Sequence, residues 1–111
     1  MAAWRLQAKD AAALAALSAP KIAFMDTAYS AVGSSQGQVQ AHYARIFKKP
    51  ADVAFTGLRY AFGPGWATVI WVADWPSWAT SAPGVTMLEI RDGKIGRETL
   101  YYNGTSMPFR L

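Results

Sequence analysis

Residues 84–103 (Gly-Val-Thr-Met-Leu-Glu-Ile-Arg-Asp-Gly-Lys-Ile-Gly-Arg-Glu-Thr-Leu-Tyr-Tyr-Asn) constrain the fold of this chain more than any other stretch. Two β-rich runs flank Asp92-Gly93, a pair suited to a tight hairpin turn because it tolerates positive φ. The register depends on that turn. A two-residue turn sets Ile90 opposite Ile95 and puts Thr86, Leu88 and Ile90 on one face with Arg97, Thr99 and Tyr101. A three-residue turn with a glycine bulge groups them with Gly96, Glu98, Leu100 and Tyr102 instead. One residue of slip decides whether Glu98 or Arg97 faces inward.

Upstream, residues 2–18 read as helical because they are rich in Ala and Leu. Asp10 suits the cap of a second short helix over 11–17, and Ser18-Ala19-Pro20 ends it. Residues 21–26 form a short apolar strand, and 27–34 are a loop of small residues. Ser35 and Gln38 have capping-box spacing. Val39, His42, Tyr43, Ile46 and Phe47 then recur at helical spacing as one apolar stripe. Lys48 and Lys49 suit the negative end of that helix, and Pro50 stops it. Strands follow at 53–62 and 66–74, joined by Gly63-Pro64-Gly65. Residues 75–84 read as a loop with two tryptophans, and 104–111 as a tail. Helices first and antiparallel strands after predict an α+β fold with the helices on one sheet face.

At 111 residues the chain suits one domain, 1–111, with a single core. No apolar run approaches the roughly 20 residues of a membrane span, and the N-terminus lacks the pattern of a signal peptide. Absence of cysteine excludes disulfides, thiol catalysis and thiolate metal sites, and it fits the cytoplasm. The net charge of +4 is spread along the chain. A gathered basic face for nucleic acid is not expected.

Several stretches together resemble the nuclear-transport-factor-2-like superfamily, SnoaL-like branch. Asp10-Ala11-Ala12-Ala13-Leu14-Ala15-Ala16-Leu17 with Pro20, Phe24-Met25-Asp26, Ala41-His42-Tyr43-Ala44-Arg45-Ile46-Phe47 and the closing hairpin occur in that family's order. The resemblance implies a cone-shaped, curved antiparallel sheet with N-terminal helices on its concave face, a pocket for a small apolar molecule, and a homodimer through the outer face. Val85, Met87, Ile95 and Tyr101 would supply that outer face in the bulged register. The chain departs from the family in a shorter first helix, in Ser35 where Gly is common, and in Asn103 where Asp often ends the last strand.

In the ketosteroid isomerase branch, the Asp matching Asp26 is the general base. Desolvation in an apolar cone would tune it for that work; the structural alternative is that Asp26 caps the following loop. The oxyanion-hole positions of that branch fall near Ala2 or Ala3 and on Thr86, which do not fit. The limonene epoxide hydrolase branch fits no better, since residues 66–74 hold no Arg and its last-strand Asp aligns with Leu100. His42, the only histidine, lies on the apolar stripe: either a hydrogen-bonded core residue or, with Asp26, an acid–base dyad like those in cyclases and dehydratases of this fold. The resemblance favours the bulged register, which places Glu98 and Tyr102 inside. A Glu98 buried there is a second acid–base candidate or a partner for Arg59, and the alternative is a solvated Glu98.

Tyr29, Tyr43, Trp71, Thr86, Leu88, Glu98 and Tyr102 are candidate lining residues. Trp66, Trp75 and Trp78 could likewise line a cavity or simply fill the core, and Trp75 and Trp78, in a Pro-containing loop, suit a cavity mouth or an interface. No cofactor is expected, and one histidine without cysteine argues against a metal site. Two functions remain: binding of a small molecule with acid–base chemistry at Asp26, or a non-catalytic association module whose cone is filled.

Overall fold

The computed structural model describes residues 4–48 and 52–102, apart from the Trp78 side chain. Lys49 and Pro50, positions Ala2 and Ala3, and the tail from Asn103 lie outside the described residues. Among the described residues two α-helices and six strands follow in the order α1 (Ala11–Ala16), β1 (Ser18–Asp26), β2 (Ala31–Gly33), α2 (Gln36–Ile46), β3 (Ala54–Gly63), β4 (Trp66–Trp75), β5 (Thr80–Arg91) and β6 (Lys94–Tyr102), with one 3-10 turn at Pro76–Trp78. The strands form one curved sheet in the order β2-β1-β6-β5-β4-β3. It is an α+β fold. All strand pairs are antiparallel except β1 with β6, which run parallel.

Both helix starts follow their caps. Asp10 accepts from the Ala13 amide, and Ser35 from the Gln38 amide. The reciprocal half of the second box is displaced by one residue, because Gln38 accepts from the Ser34 amide at 2.6 Å. Residues 4–10 are not helical, contrary to the alanine-rich reading. Trp4 and Leu6 are both buried while Arg5 and Gln7 are exposed, an alternation that extended chain satisfies and a helix cannot. Lys9, at φ 50°, then separates this segment from α1.

Two strands run longer than composition suggested, and one was not foreseen. β1 begins at Ser18 rather than Lys21, and the supposed loop 27–34 contains β2. β5 begins at Thr80, so most of the Pro- and Thr-containing stretch is strand. Pro83 fits there because, among the described residues, β6 joins β5 only from Gly84 onward, leaving one flank of the earlier segment without a ladder neighbour.

The closing hairpin combines both of its alternatives. Asp92 and Gly93 have φ 52° and 77°, a two-residue turn that pairs Arg91 with Lys94 and Ile90 with Ile95. The register then shifts: Glu89 faces Arg97, leaving Gly96 as an extra residue in β6. Beyond it Leu88 pairs with Glu98, Thr86 with Leu100 and Gly84 with Tyr102. The bulge sits in the strand rather than in the turn. Ile95, which precedes it, points inward and is fully buried. It therefore cannot belong to the outer face.

Candidate functional site

Strand parity and helical spacing bring the site together. Ile22, Phe24 and Asp26 alternate inward along β1. Val39, His42, Tyr43 and Ile46 are the buried stripe of α2. On β6 the bulge turns Glu98 and Leu100 inward, with Tyr102 beside them at the strand end. Asp26 and Glu98 are fully buried, and His42 is 2 % exposed.

Asp26 uses its two oxygens differently. Oδ1 accepts from the Ala28 amide at 3.0 Å, the loop cap. Oδ2 stands 2.7 Å from His42 Nε2 and accepts the Tyr102 hydroxyl at 2.8 Å. Loop capping and pairing with His42 are thus compatible. With Asp26 as an ionised carboxylate, which only accepts, Nε2 carries the imidazole proton in that pair. Nδ1 is buried and has no hydrogen-bond partner among the described residues.

One layer away the Tyr43 hydroxyl donates to Glu98 Oε2. Burial raises the Glu98 carboxyl from 4.5 to about 7, against the opposing influence of Tyr43 and of the Trp4 indole. The indole leans on the carboxyl without completing a directed bond, and Glu98 Oε1 has no partner among the described residues. Tyr43 is held well above an ordinary phenol by burial first and by Glu98 second. Tyr102 is likewise pushed up by burial and by neighbouring Asp26.

Trp71, 2 % exposed, donates from its indole to Thr86 Oγ1 at 2.9 Å. Leu88 is buried next to Thr86 along the same strand face. Tyr29 is half-buried at the open side, its ring 6.0 Å from His42 and 6.3 Å from Tyr102. Ring contacts also link His42 to Tyr43, Tyr43 to Phe47, Phe47 to Phe55, Phe55 to Trp71 and Trp71 to Tyr102. Seven rings thus close into a belt. Phe47 was foreseen as stripe and Phe55 only as strand; neither stood out as a site residue, since nothing in a strand pattern distinguishes belt from core.

Three expectations fail. Arg59 is exposed on β3 and does not meet Glu98, whose partner is Tyr43. The Leu58 bulge, between Gly57 and Arg59, turns that stretch of the edge strand outward. Trp66 is 43 % exposed at the sheet rim, and Trp75 is buried rather than set at a mouth. Among the described residues no group of His, Asp and Glu has metal-site geometry, and no helix is long and apolar enough to cross a membrane.

Comparison with known proteins matches residues 1–98 to the SnoaL-like domain model. No curated protein matches this chain. A Catenulispora acidiphila protein with a ketosteroid isomerase-like fold, solved in complex with trimethylamine, superposes with a TM-score of 0.79 at 23 % identity, covering 95 % of this chain and 85 % of that one. An NTF2-like protein of unknown function from Mesorhizobium loti gives 0.76 at 24 % identity, with 89 % and 82 % covered. Another, from Burkholderia xenovorans, gives 0.73 at 20 %, with 95 % and 77 % covered. These neighbours share the NTF2-like fold, and the inward-facing Asp26, His42 and Tyr43 lie on the β1 and α2 motifs that carried the resemblance, inside the matched span: the chain belongs to the SnoaL-like domain family.

Proposed function

We propose that this domain binds a small, largely apolar molecule on its concave side and moves a proton on it without a cofactor, as an isomerase, cyclase or lyase does. Asp26 is the general base, with His42 sharing its proton and Tyr102 holding the same oxygen. The Glu98–Tyr43 pair is the acid side, because a carboxyl raised to about 7 by burial still carries its proton near neutrality. Tyr29, Trp71, Thr86 and Leu88 line the ligand. The carrying observation is the fully buried Asp26 carboxylate with His42 and Tyr102 on one oxygen. The family's small-molecule-binding fold and a neighbour solved with trimethylamine support a ligand-binding reading.

The competing reading, an association module, calls for a filled concave side and Asp26 turned to solvent. Trp4, Tyr43, Trp71 and Leu88 do fill much of the interior, yet Asp26 faces inward. A cysteine-free chain also suits the cytoplasm, where we place its work.

Proton exchange tests the proposal directly. Deuterium uptake beside the carbonyl of 2-methylcyclohexanone, followed by NMR, should be accelerated by the protein. Asp26→Asn should lower that acceleration by about a hundredfold or more, the usual contribution of a positioned base. Unchanged exchange in both Asp26→Asn and His42→Ala would remove the dyad from the mechanism.

A further inference from the structure

A cleft beside the edge strand β2 borders His42. Lying between β2 and α2, it has a volume of about 230 Å³ and is lined by Phe24, Ala31, Val32, Gln38, Ala41, His42 and Arg45. Its volume is below the roughly 300–1,000 Å³ of ordinary ligand pockets, so an occupant would be a single ring or a short chain. One wall is apolar, with Phe24 and Ala31; Val32, in register with outward Met25, borders it only at the strand edge. The other carries a polar column along α2, because Gln38, His42 and Arg45 stand one turn apart on the same side.

The column has unused bonding capacity at each level. Gln38 commits its carbonyl oxygen to Ser34, which leaves its NH₂ group. His42 gives Nε2 to Asp26, and buried Nδ1 has no partner among the described residues. With the ring proton on Nε2, Nδ1 is an acceptor and calls for an O–H or N–H donor. Arg45 makes no ion pair among the described residues, and no acidic side chain lines the cleft. The wall therefore reads donor, acceptor, cation from Gln38 to Arg45.

We propose that this side cleft is a binding site for a small hydroxy acid. Its carboxylate meets Arg45, its hydroxyl donates to His42 Nδ1, and its apolar body lies against Phe24 and Ala31. Three residues of helix rise about 4.5 Å, so hydroxyl and carboxylate must stand several bonds apart, as across an aromatic ring. An ammonium ligand is disfavoured by Arg45. Because the same imidazole holds Asp26 through Nε2, an occupant bears on the Asp26 carboxylate. The site stands whether or not the domain is a catalyst.

His42 is the only histidine, so its ring nitrogens give unambiguous ¹⁵N signals. Titration with 4-hydroxybenzoate should shift the Nδ1 resonance saturably and move the amide signals of Ala31, Val32 and Ala41. Benzoate, which lacks the donor, should bind at least about tenfold more weakly, as should 4-hydroxybenzoate to Arg45→Ala, the loss expected for one charge-assisted contact. Arg45 is exposed, so that variant keeps the fold. Equal affinity of the two acids, wild-type affinity in Arg45→Ala, shifts centred on Thr86 and Leu88 instead, or no saturable shift would each overturn the proposal.

Discussion

Glu98 has lost its water and gained a phenol and an indole, so its protonation state is linked to folding. In the native protein it keeps its proton up to about pH 7, whereas the unfolded chain releases it near 4.5. Between those values the unfolded state binds fewer protons, so stability falls as pH rises and levels off above 7. The span corresponds to roughly 3 kcal/mol. Glu98→Gln keeps a carbonyl for Tyr43 and removes the titration. Relative to wild type it should gain stability steadily from pH 4.5 to 7 in urea unfolding; parallel curves would mean Glu98 titrates normally. Asp26 makes a different case, since it accepts from Ala28, His42 and Tyr102. Asp26→Ala strands these donors and should cost about 3 kcal/mol or more, whereas Tyr102→Phe, which removes one bond, should cost about 1 kcal/mol. The same unfolding measurement orders the two.

Within single elements, two glycines hold the sheet in shape for separate reasons. A Cβ on Gly84 would stand 2.4 Å from the Trp71 ring, which lies across that position to reach Thr86 and Tyr102. Gly84→Ala should therefore displace Trp71 and cost about 2 kcal/mol. Gly93 sits at φ 77° with open space around it, so Gly93→Ala should cost about 1 kcal/mol from backbone strain alone. Thermal unfolding, together with near-ultraviolet circular dichroism sensitive to Trp71, distinguishes them: only the Gly84 variant should alter the aromatic signal. The turn and the α2 stripe were legible because each has a local cause, positive φ in one and spacing in the other. His42 and Tyr43 were legible from that same spacing, whereas Asp26 was singled out by the family resemblance. Glu98 stayed open because the bulge that sets its face lies at Gly96, within the strand rather than in the turn, and Gly96 has no positive φ to announce it. The strand character of β2 and of 80–84 was hidden for a related reason: it comes from pairing with distant partners that outweighs local composition.

For the molecule as a whole, the face of the sheet away from the helices is the part that a monomer leaves unexplained. Met25, Met87 and Tyr101 are between 44 % and 51 % exposed. Strand register places them in continuous rows: Met25, Thr99, Met87 and Thr68 run across β1, β6, β5 and β4, with Tyr101, Val85 and Ile70 beside them. Glu89, engaged with Arg91 and Arg97, forms a charged rim at one end. A contiguous apolar surface rimmed by charge marks an association site rather than scattered exposure. We propose that two copies pack through it, as the twofold pairing of identical patches allows. Ile95 contributes nothing, since the bulge keeps it inside. Met87→Lys places two cations at the centre of such an interface, one from each copy, and desolvates them together, a cost of several kcal/mol against association. Sedimentation at micromolar concentration should give a dimer for wild type and a monomer for Met87→Lys, with far-ultraviolet circular dichroism unchanged because that side chain is outside the core. If wild type sediments as a monomer across that range, the face has another occupant. If Met87→Lys still dimerises, the interface lies elsewhere, with exposed edge strand β3 and its outward Leu58 and Phe62 as the next surface to examine.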